Sequence, residues 1–203
     1  MPAARESLLD AAYTALGRRP WPAVRMVDVA AVAGVSRQTL YNEFGSKEGL
    51  ARALVRREAD AYLAGVERAL VSRPEPRERL AAAAEWTASA ARGNALVRAM
   101  LTGCWGERLP SPTLSAVPSS SAVPAQRRAD GPLPSPGDFV ALVRDRAVAS
   151  LAAPGGSRSE AAELARACEL AVRLGVSCVL APPADGSAAG LVRDALATVR
   201  SVV

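Results

Sequence analysis

The sequence predicts an all-α protein in which a small N-terminal head precedes a larger helical body. Apolar residues recur at helical spacing along most of the 203 residues, and no segment alternates in the way of a half-buried strand. Glycine, proline and serine residues stand between the periodic segments, where helices end and begin. Half of the residues are apolar, which is ample material for a buried core.

Four helices are predicted in the first third of the chain. Gly17 is expected to end the first, and Pro20 and Pro22 exclude a helix across the segment that follows. Ser36 and Ser46 stand where a side-chain oxygen caps the third and fourth helices. The predicted segments are 5–16, 26–33, 37–44 and 47–70.

Five further helices are predicted in the body, and a proline-rich span interrupts them. Residues 106–137 contain seven prolines and no aromatic residue, so no regular element fits there. This span is either a disordered insertion or a lid over a ligand cavity. We divide the chain into a head, residues 1–57, and a body, residues 58–203. The predicted body helices are 77–92, 94–105, 138–152, 158–180 and 187–202.

The positive charge of the protein lies mostly in the head. Residues 1–57 hold nine basic and five acidic residues, whereas residues 58–203 hold sixteen and fifteen. An excess of four charges on so small a unit favours a polyanionic partner, although an ordinary solvated surface has a similar composition.

Composition excludes several kinds of site. The chain has no histidine, and Cys104, Cys168 and Cys178 are widely spaced, so we expect no zinc site, no disulfide framework and no cofactor. The cysteines are expected to be buried as small apolar residues. Without histidine, neither a Ser-His-Asp nor a Cys-His arrangement is available, and we predict that the protein is not an enzyme. We find no signal peptide and no run of membrane-spanning length, so a soluble, cytoplasmic protein without membrane contact is expected.

The segment VDVAAVAGVSRQTLYNEFGSKEGL, residues 27–50, predicts a helix-turn-helix motif. Ala30 on the first helix is small enough for the second helix to cross closely, and Gly34 supplies the turn. Leu40 fills the space between the helices, and Phe44 lies on the same side of the second helix.

The outer side of that second helix carries uncharged polar groups. With Leu40 facing inward, Gln38 and Asn42 lie about 160° away. Thr39 and Tyr41 flank them. Amide side chains bond adenine bidentately and a threonine methyl contacts thymine, so this face suits the major groove of DNA.

The chain resembles the DNA-binding head of TetR-family transcriptional regulators over about residues 5–57. The segments that carry the resemblance are a leading helix, DVAAVAGVS and RQTLYNEFGSKEGL. The resemblance implies a homodimer that binds a palindromic operator in double-stranded DNA. The positions it implies as DNA contacts are Arg25, Ser36, Arg37, Gln38, Thr39, Tyr41, Asn42 and Lys47.

Several head residues have a second interpretation. Arg25 stands where the family usually has threonine, which puts a capping role there in doubt, although an arginine reaches a phosphate. Tyr41 is either a half-buried core residue or a phosphate-binding hydroxyl, and Lys47 is either solvated or bound to a phosphate. Glu43 is expected to pack or to form an ion pair rather than to contact a base.

Apolar residues of the middle body helices are candidates for the lining of a ligand cavity, because small-molecule sites are mostly apolar. Each of them taken alone is more typical of ordinary core packing. The candidates are Trp86, Met100, Cys104, Trp105, Phe139 and Leu142.

The last two predicted helices carry apolar rows with many small residues. We expect them to form a four-helix bundle with a second subunit, although both helices could instead bury themselves within one subunit. The function we predict is a transcriptional repressor that an unknown small, largely apolar ligand releases from its operator. The alternative is a DNA-binding protein without ligand control, architectural or activating, with no closed cavity in the body.

Overall fold

The computed structural model describes residues 2–110, 134–152 and 157–198, and this part of the chain is all-α, as predicted. These residues form nine α-helices, one short 3-10 turn and no strand. The α-helices are α1 (Pro2–Arg18), α2 (Met26–Val32), α3 (Arg37–Phe44), α4 (Lys47–Leu70), α5 (Pro76–Gly93), α6 (Ala95–Thr102), α7 (Pro136–Leu151), α8 (Arg158–Leu180) and α9 (Ala188–Thr198). The 3-10 turn covers Trp21–Ala23.

The helix ends differ from the prediction in a few places. The α4 helix has the predicted bounds, whereas α1 passes through Gly17 to end at Arg18. The α6 helix ends at Thr102, three residues early. It ends there because Gly103 adopts a left-handed φ of 73° and its N–H closes the helix on the Ala99 carbonyl.

The proline-rich span is shorter than the sequence indicated. The α7 helix begins at Pro136, inside the predicted loop, because Ser135 and Asp138 form a capping box in front of it. Most of the span, residues 111–133, lies outside the described residues, so disorder and a lid both remain predictions. The predicted separator at 155–156 and the predicted end of the last helix, 199–202, also lie outside them.

The described residues form two compact units. The first consists of residues 2–58 and 105–110, and the second of residues 59–104, 134–152 and 157–198. The sequence assigned residues 105–110 to the body, but they pack with the first unit. The reason is physical: the Trp21 N–H donates a hydrogen bond to the Arg108 carbonyl at 2.8 Å, and Pro110 is buried.

Large apolar side chains fill the core of the first unit, where α1 contacts α2 and α3, and α2 contacts α3. Each buried side chain of this size contributes about 1.5–3 kcal/mol to folding. An ion pair between Arg57 of α4 and Asp10 of α1, 2.6 Å long, joins these two helices. The largest core residues are Leu8, Leu9, Trp21, Val24, Val29, Leu40, Phe44, Leu50 and Leu54.

Small residues are frequent at the helix contacts of the second unit. The α5 helix packs against α8 and α9 through a row of buried alanines, and α7 packs against α8. A Cβ at Gly65 would lie 2.1 Å from the ring of Trp86, and one at Gly175 would lie 3.1 Å from the Ala84 Cα. Glycine at these two positions therefore lets a neighbouring helix approach closely. Within the described ranges, no helix combines the length and the apolar character needed to cross a membrane.

Candidate nucleic-acid interface

The turn before α3 fixes the start of that helix. Gly34 has a φ of 68°, which side chains other than glycine rarely adopt, and the Val35 N–H behind it donates to the Ala30 carbonyl at 3.1 Å. The Ser36 hydroxyl then accepts a hydrogen bond from the Thr39 N–H at 3.0 Å. The predicted cap of the third helix is therefore confirmed, and the first turn of α3 is held in place.

The inward and outward sides of α3 are those that its helical phase predicts. Leu40 and Phe44 are buried, whereas Gln38 and Asn42 are exposed. The Gln38 Nε2 donates to the Asn42 Oδ1 at 2.8 Å, so the two amides hold each other on the outer face. Gln38 Oε1 and Asn42 Nδ2 thus remain as an acceptor and a donor, the pair of groups that an adenine edge requires.

The helix that carries the amide pair has two charged residues, Arg37 and Glu43. Arg37 is exposed, and its guanidinium lies over the Tyr41 ring, 5.3 Å from the ring centroid. Glu43, the acidic residue of α3, forms an ion pair with Arg5 of α1 at 3.7 Å, as its predicted orientation indicated. The Arg5 guanidinium also lies 4.8 Å from the centroid of the buried Phe44 ring. The negative charge of α3 is thereby paired on the protein side.

Lys47 at the start of α4 has partners inside the protein. Its Nζ donates to the Pro22 carbonyl at 3.0 Å and lies 5.6 Å from the centroid of the Trp21 ring. The sequence offered solvent or a phosphate as its partner, and neither interpretation included this contact. Since an ammonium group has three donors, one bond to Pro22 leaves two for another acceptor.

Arg25 precedes α2, but its side chain forms no capping hydrogen bond with that helix. Instead, its Nε lies 3.8 Å from an oxygen of Asp28. The other oxygen of Asp28 accepts a hydrogen bond from Arg19 at 3.2 Å. The sequence analysis did not select Arg19 or Asp28, since only the fold of the turn between α1 and α2 brings them together.

The segment that contains α2 and α3 matches a known protein family. The model of the bacterial regulatory proteins of the tetR family matches residues 8–54, a segment that contains α2, α3 and the polar face of α3. Over these residues the chain is similar to the bacterial regulatory proteins of the tetR family.

Two curated proteins are similar to part of the chain. The HTH-type transcriptional regulator AlkX of Mycobacterium tuberculosis is 48% identical over 66 residues, which are 32% of this chain and 31% of the relative. The HTH-type transcriptional activator FasR of Mycolicibacterium smegmatis is 40% identical over 81 residues, 40% of this chain and 37% of the relative. The matched segments thus span about a third of the length of these relatives.

Solved structures of TetR-family proteins share the fold over nearly the whole chain. The TetR family repressor AlkX of a Dietzia strain, implicated in biodegradation of n-alkanes, has a TM-score of 0.52 at 23% identity, covering 98% of this chain and 96% of its own. A putative TetR-family regulator of Rhodococcus has a TM-score of 0.56 at 22% identity, covering 99% and 100%. At this identity the likeness concerns the fold.

The residues predicted to line a ligand cavity in the body are not brought together as a set. Trp105 lies in the first unit, and Cys104 is exposed. Met100 and Phe139 are buried, the latter edge-on to Tyr62 with ring centroids 6.3 Å apart, and Leu142 is half-buried. Cys168 and Cys178 are buried as predicted, whereas the prediction was wrong for Cys104, which lies just after the end of α6 and is exposed.

Trp86 has a structural role in the second unit. Its ring lies against the backbone at Gly65, and its Nε1 donates to the Tyr62 carbonyl at 3.1 Å. The Tyr62 hydroxyl bonds to the Thr87 hydroxyl at 3.0 Å, and burial raises the pKa of Tyr62 to about 12. Both contacts fix α5 on α4, so Trp86 is a packing residue.

A small apolar cavity lies between α5, α7 and α8 of the second unit. Its volume is about 10 Å³, which is the space of about one water molecule. None of the six predicted ligand residues lines it. Its lining residues are Leu80, Ala83, Ala84, Thr87, Val143, Ala147, Ala171 and Val172.

Proposed function

We propose that the protein is a sequence-specific transcriptional regulator that binds double-stranded DNA through the outer face of α3. The observation that carries this proposal is the exposed, mutually bonded amide pair of Gln38 and Asn42. Its free acceptor and donor suit a base edge in the major groove. Arg37 on the same helix and Lys47 at the start of α4 supply positive charge for the DNA backbone. The match of residues 8–54 to the tetR family model and the basic excess of residues 1–57 support the same conclusion.

A homodimer on a palindromic operator follows from this proposal, because two copies of α3 then enter successive major grooves about 34–36 Å apart. The ends of α8 and α9 leave apolar side chains for such an interface, since Leu180 and Leu191 are exposed. Leu196 on α9 is buried within the subunit, as are Cys168 and Val172 on α8. A charge at Leu191 therefore tests the interface, whereas one at Leu196 would disturb the subunit itself.

Selection from a random pool of DNA duplexes tests the central proposal. The purified full chain is expected to enrich an inverted repeat, and Gln38→Ala and Asn42→Ala should each relax preference at one base position by about 1–3 kcal/mol. Because the two amides bond to each other, the effects should be less than additive in the double variant. Ser89→Ala, an exposed position on α5, is the control. Selection of no sequence, or an unchanged motif in both single variants, would contradict the proposal.

The regulator is proposed to act as a repressor that a small, largely apolar ligand releases from DNA. The apolar cavity between α5, α7 and α8 is the candidate ligand site, and a ligand must enlarge it, since it now holds about one water molecule. The small volume favours the second candidate function, a DNA-binding protein without ligand control. Dodecanol is a suitable probe, because the lining is aliphatic apart from Thr87.

Two matched variants separate these candidates. Ala147→Val adds two methyl groups to the cavity lining, whereas Ala149→Val adds them to an exposed position of the same helix. If the cavity is the ligand site, dodecanol lowers the DNA affinity of the wild type and of Ala149→Val, but not of Ala147→Val. If the wild type shows neither DNA release nor a thermal shift, the function without ligand control is favoured.

A further inference from the structure

Two ion pairs attach α1 to α3 and to α4 within the first unit. Arg5 Nη1 of α1 lies 3.7 Å from Glu43 Oε2 at the end of α3. Further along α1, Asp10 Oδ1 accepts a hydrogen bond from Arg57 Nη1 of α4 at 2.6 Å. The α1 helix therefore holds α3 with a cation and α4 with a carboxylate. We call these four side chains, Arg5, Glu43, Asp10 and Arg57, the α1 brace.

The Arg5 end of the brace holds the last turn of α3. Glu43 and Phe44 are the final residues of that helix, and the Arg5 guanidinium lies 4.8 Å from the centroid of the buried Phe44 ring. Arg5 thus contacts two consecutive side chains, one through its charge and one through a cation–π contact. Because Asn42 directly precedes Glu43, a rotation or tilt of this end of α3 displaces the exposed amide that the proposed function assigns to DNA.

The Arg57 end of the brace is held on several sides. The Arg57 side chain is 22% exposed. Its Nη1 donates to Asp10, whereas Nε and Nη2 both donate to Glu58 Oε1, at 3.1 and 3.0 Å. The guanidinium also lies 5.9 Å from the centroid of the Tyr13 ring on α1. Since every nitrogen of the planar fork has a carboxylate partner, Arg57 presents a fixed group to Asp10.

Folding stability is a weak reason for these pairs. Asp10 is 75% exposed and Arg5 35%, and ion pairs that reach solvent contribute little to the free energy of unfolding. Large apolar side chains such as Leu8 and Leu40 already fill the core of the unit. Glu43 also places a negative charge on the helix proposed to enter the major groove, where it repels phosphates. A role in orienting α3 accounts for both observations.

We propose that the α1 brace fixes the orientation of α3 relative to the first turns of α4, and that its four side chains are positioning residues for base recognition. None of the four needs to touch DNA. The brace acts in series, because Arg57 holds α1 through Asp10, and α1 holds α3 through Arg5. Its effect is therefore on the ratio between the affinities for the preferred sequence and for unrelated DNA. The inference rests on the proposed DNA-binding function and adds residues of α1 and α4 that lie outside the α3 face.

Glu43 allows the sign of the effect to be predicted. Glu43→Gln removes a negative charge, so binding to every duplex should tighten equally if charge alone mattered. If Glu43 orients α3 through Arg5, the ratio of the affinities for preferred and unrelated duplexes should fall by about three- to tenfold. The affinity for unrelated DNA should stay the same or rise, because the contacts with the DNA backbone remain.

Exchange of the two charges separates orientation from charge. Arg5→Glu and Glu43→Arg each place like charges side by side, so each should lower the affinity ratio. The double variant Arg5→Glu/Glu43→Arg restores an ion pair and leaves the net charge of the protein unchanged. It should recover part of the ratio that both single variants lose. Recovery should be incomplete, because the cation over the Phe44 ring is removed.

The serial arrangement predicts how changes at the two ends combine. Glu43→Gln and Asp10→Asn break ion pairs that have no residue in common. Their effects on the free energy of unfolding should therefore add. Their effects on the affinity ratio should not add, because a brace broken at one end no longer constrains α3 from the other. The double variant should have about the same ratio as the more impaired single variant.

The experiment measures the affinity of the full chain for a duplex selected by the wild type and for an unrelated duplex of equal length, with urea unfolding of each variant. Glu67→Gln is the matched control, because it breaks an exposed carboxylate–arginine pair between helices of the second unit, Glu67 with Arg146 at 2.8 Å.

Three results would overturn the inference while the proposed function stands. They are equal tightening of both duplexes by Glu43→Gln, an effect of Glu43→Gln no larger than that of Glu67→Gln, and additive effects of Glu43→Gln and Asp10→Asn on the ratio. If the wild type selects no duplex, the proposed function itself fails. Should Glu43→Gln not fold, the charge-exchanged double variant decides, since a ratio no better than that of Arg5→Glu overturns the inference.

Discussion

Both units of this protein bury large apolar side chains, but in the second unit two contacts between long helices also depend on glycine. In the first unit, large residues such as Leu40 and Phe44 fill the space between short helices. In the second unit, two helix contacts depend on the absence of a side chain, at Gly65 beneath the Trp86 ring and at Gly175 beside Ala84. A large apolar residue at helical spacing can be recognised as a core residue from the sequence alone. The role of a glycine is apparent only when the residue that packs against it is known. This difference explains why the first unit could be interpreted from its sequence in more detail.

Shortening a core side chain of the first unit should have the largest effect. Leu40 is fully buried, so Leu40→Ala is expected to cost about 2–5 kcal/mol of unfolding free energy. Amide hydrogen exchange of α2 and α3 measures this locally, and DNA binding should be lost with it. Val32→Ala on α2, where Val32 is 73% exposed, is the control and should change stability by less than about 0.5 kcal/mol. Equal effects of the two variants would contradict this account of the core.

Adding a side chain should destabilise the second unit. Alanine is the better helix former by about 1 kcal/mol, yet Gly65→Ala should destabilise by about 1–3 kcal/mol because its Cβ would overlap the Trp86 ring. Thermal unfolding and the near-ultraviolet circular dichroism of tryptophan report the change. A stabilised Gly65→Ala variant would show that α5 moves away at little cost.

Ser36 allows stability and DNA binding to be separated in the first unit. Ser36→Ala removes the cap of α3 and should cost about 1 kcal/mol of stability. Ser36→Asp keeps a capping oxygen but adds a negative charge, so it should retain stability while weakening DNA binding at low salt. If Ser36→Asp binds DNA as the wild type does, the start of α3 lies far from the phosphates.

A substitution of Gly17 in α1 should have the smallest effect on stability, and the effect should be stabilising. A Cβ at this position meets no atom within 4 Å. Gly17→Ala should therefore stabilise the protein by about 0.5–1 kcal/mol, through the reduced freedom of the unfolded chain. Urea unfolding measures it beside Gly65→Ala. A destabilised Gly17→Ala variant would mean that glycine in these helices is required for a reason other than space.

The sequence predicted those features that depend on neighbours along the chain. The caps at Ser36 and Ser46, the bounds of α4 and the burial of Leu40 and Phe44 follow from helical phase and local hydrogen bonds, and the structure confirms each of them. The orientation of Gln38 and Asn42 follows from the same phase. Their hydrogen bond to each other could also have been anticipated, because residues four apart in a helix are neighbours.

Features that depend on distant partners escaped the sequence analysis. Trp105 was grouped with Trp86 because both lie in middle segments of the chain, but the chain enters the first unit at residue 105. Lys47 was given solvent or a phosphate as its partner, since no local pattern indicates the Pro22 carbonyl 25 residues earlier. The carboxylate shared by Arg19 and Arg25 likewise exists only once the turn between α1 and α2 has formed.

The hydrogen bond between Trp21 and Arg108 determines when the first unit can form all of its described contacts during synthesis. The donor and the acceptor are separated by 87 residues, so the first unit lacks one of its backbone partners until the ribosome has passed α6. At ordinary rates of synthesis, the 50 residues from 58 to 108 take roughly 3–10 s. During that interval the nascent first unit lacks this hydrogen bond, and a fragment that ends at residue 58 would lack it permanently. A chain must therefore reach residue 108 to form this hydrogen bond.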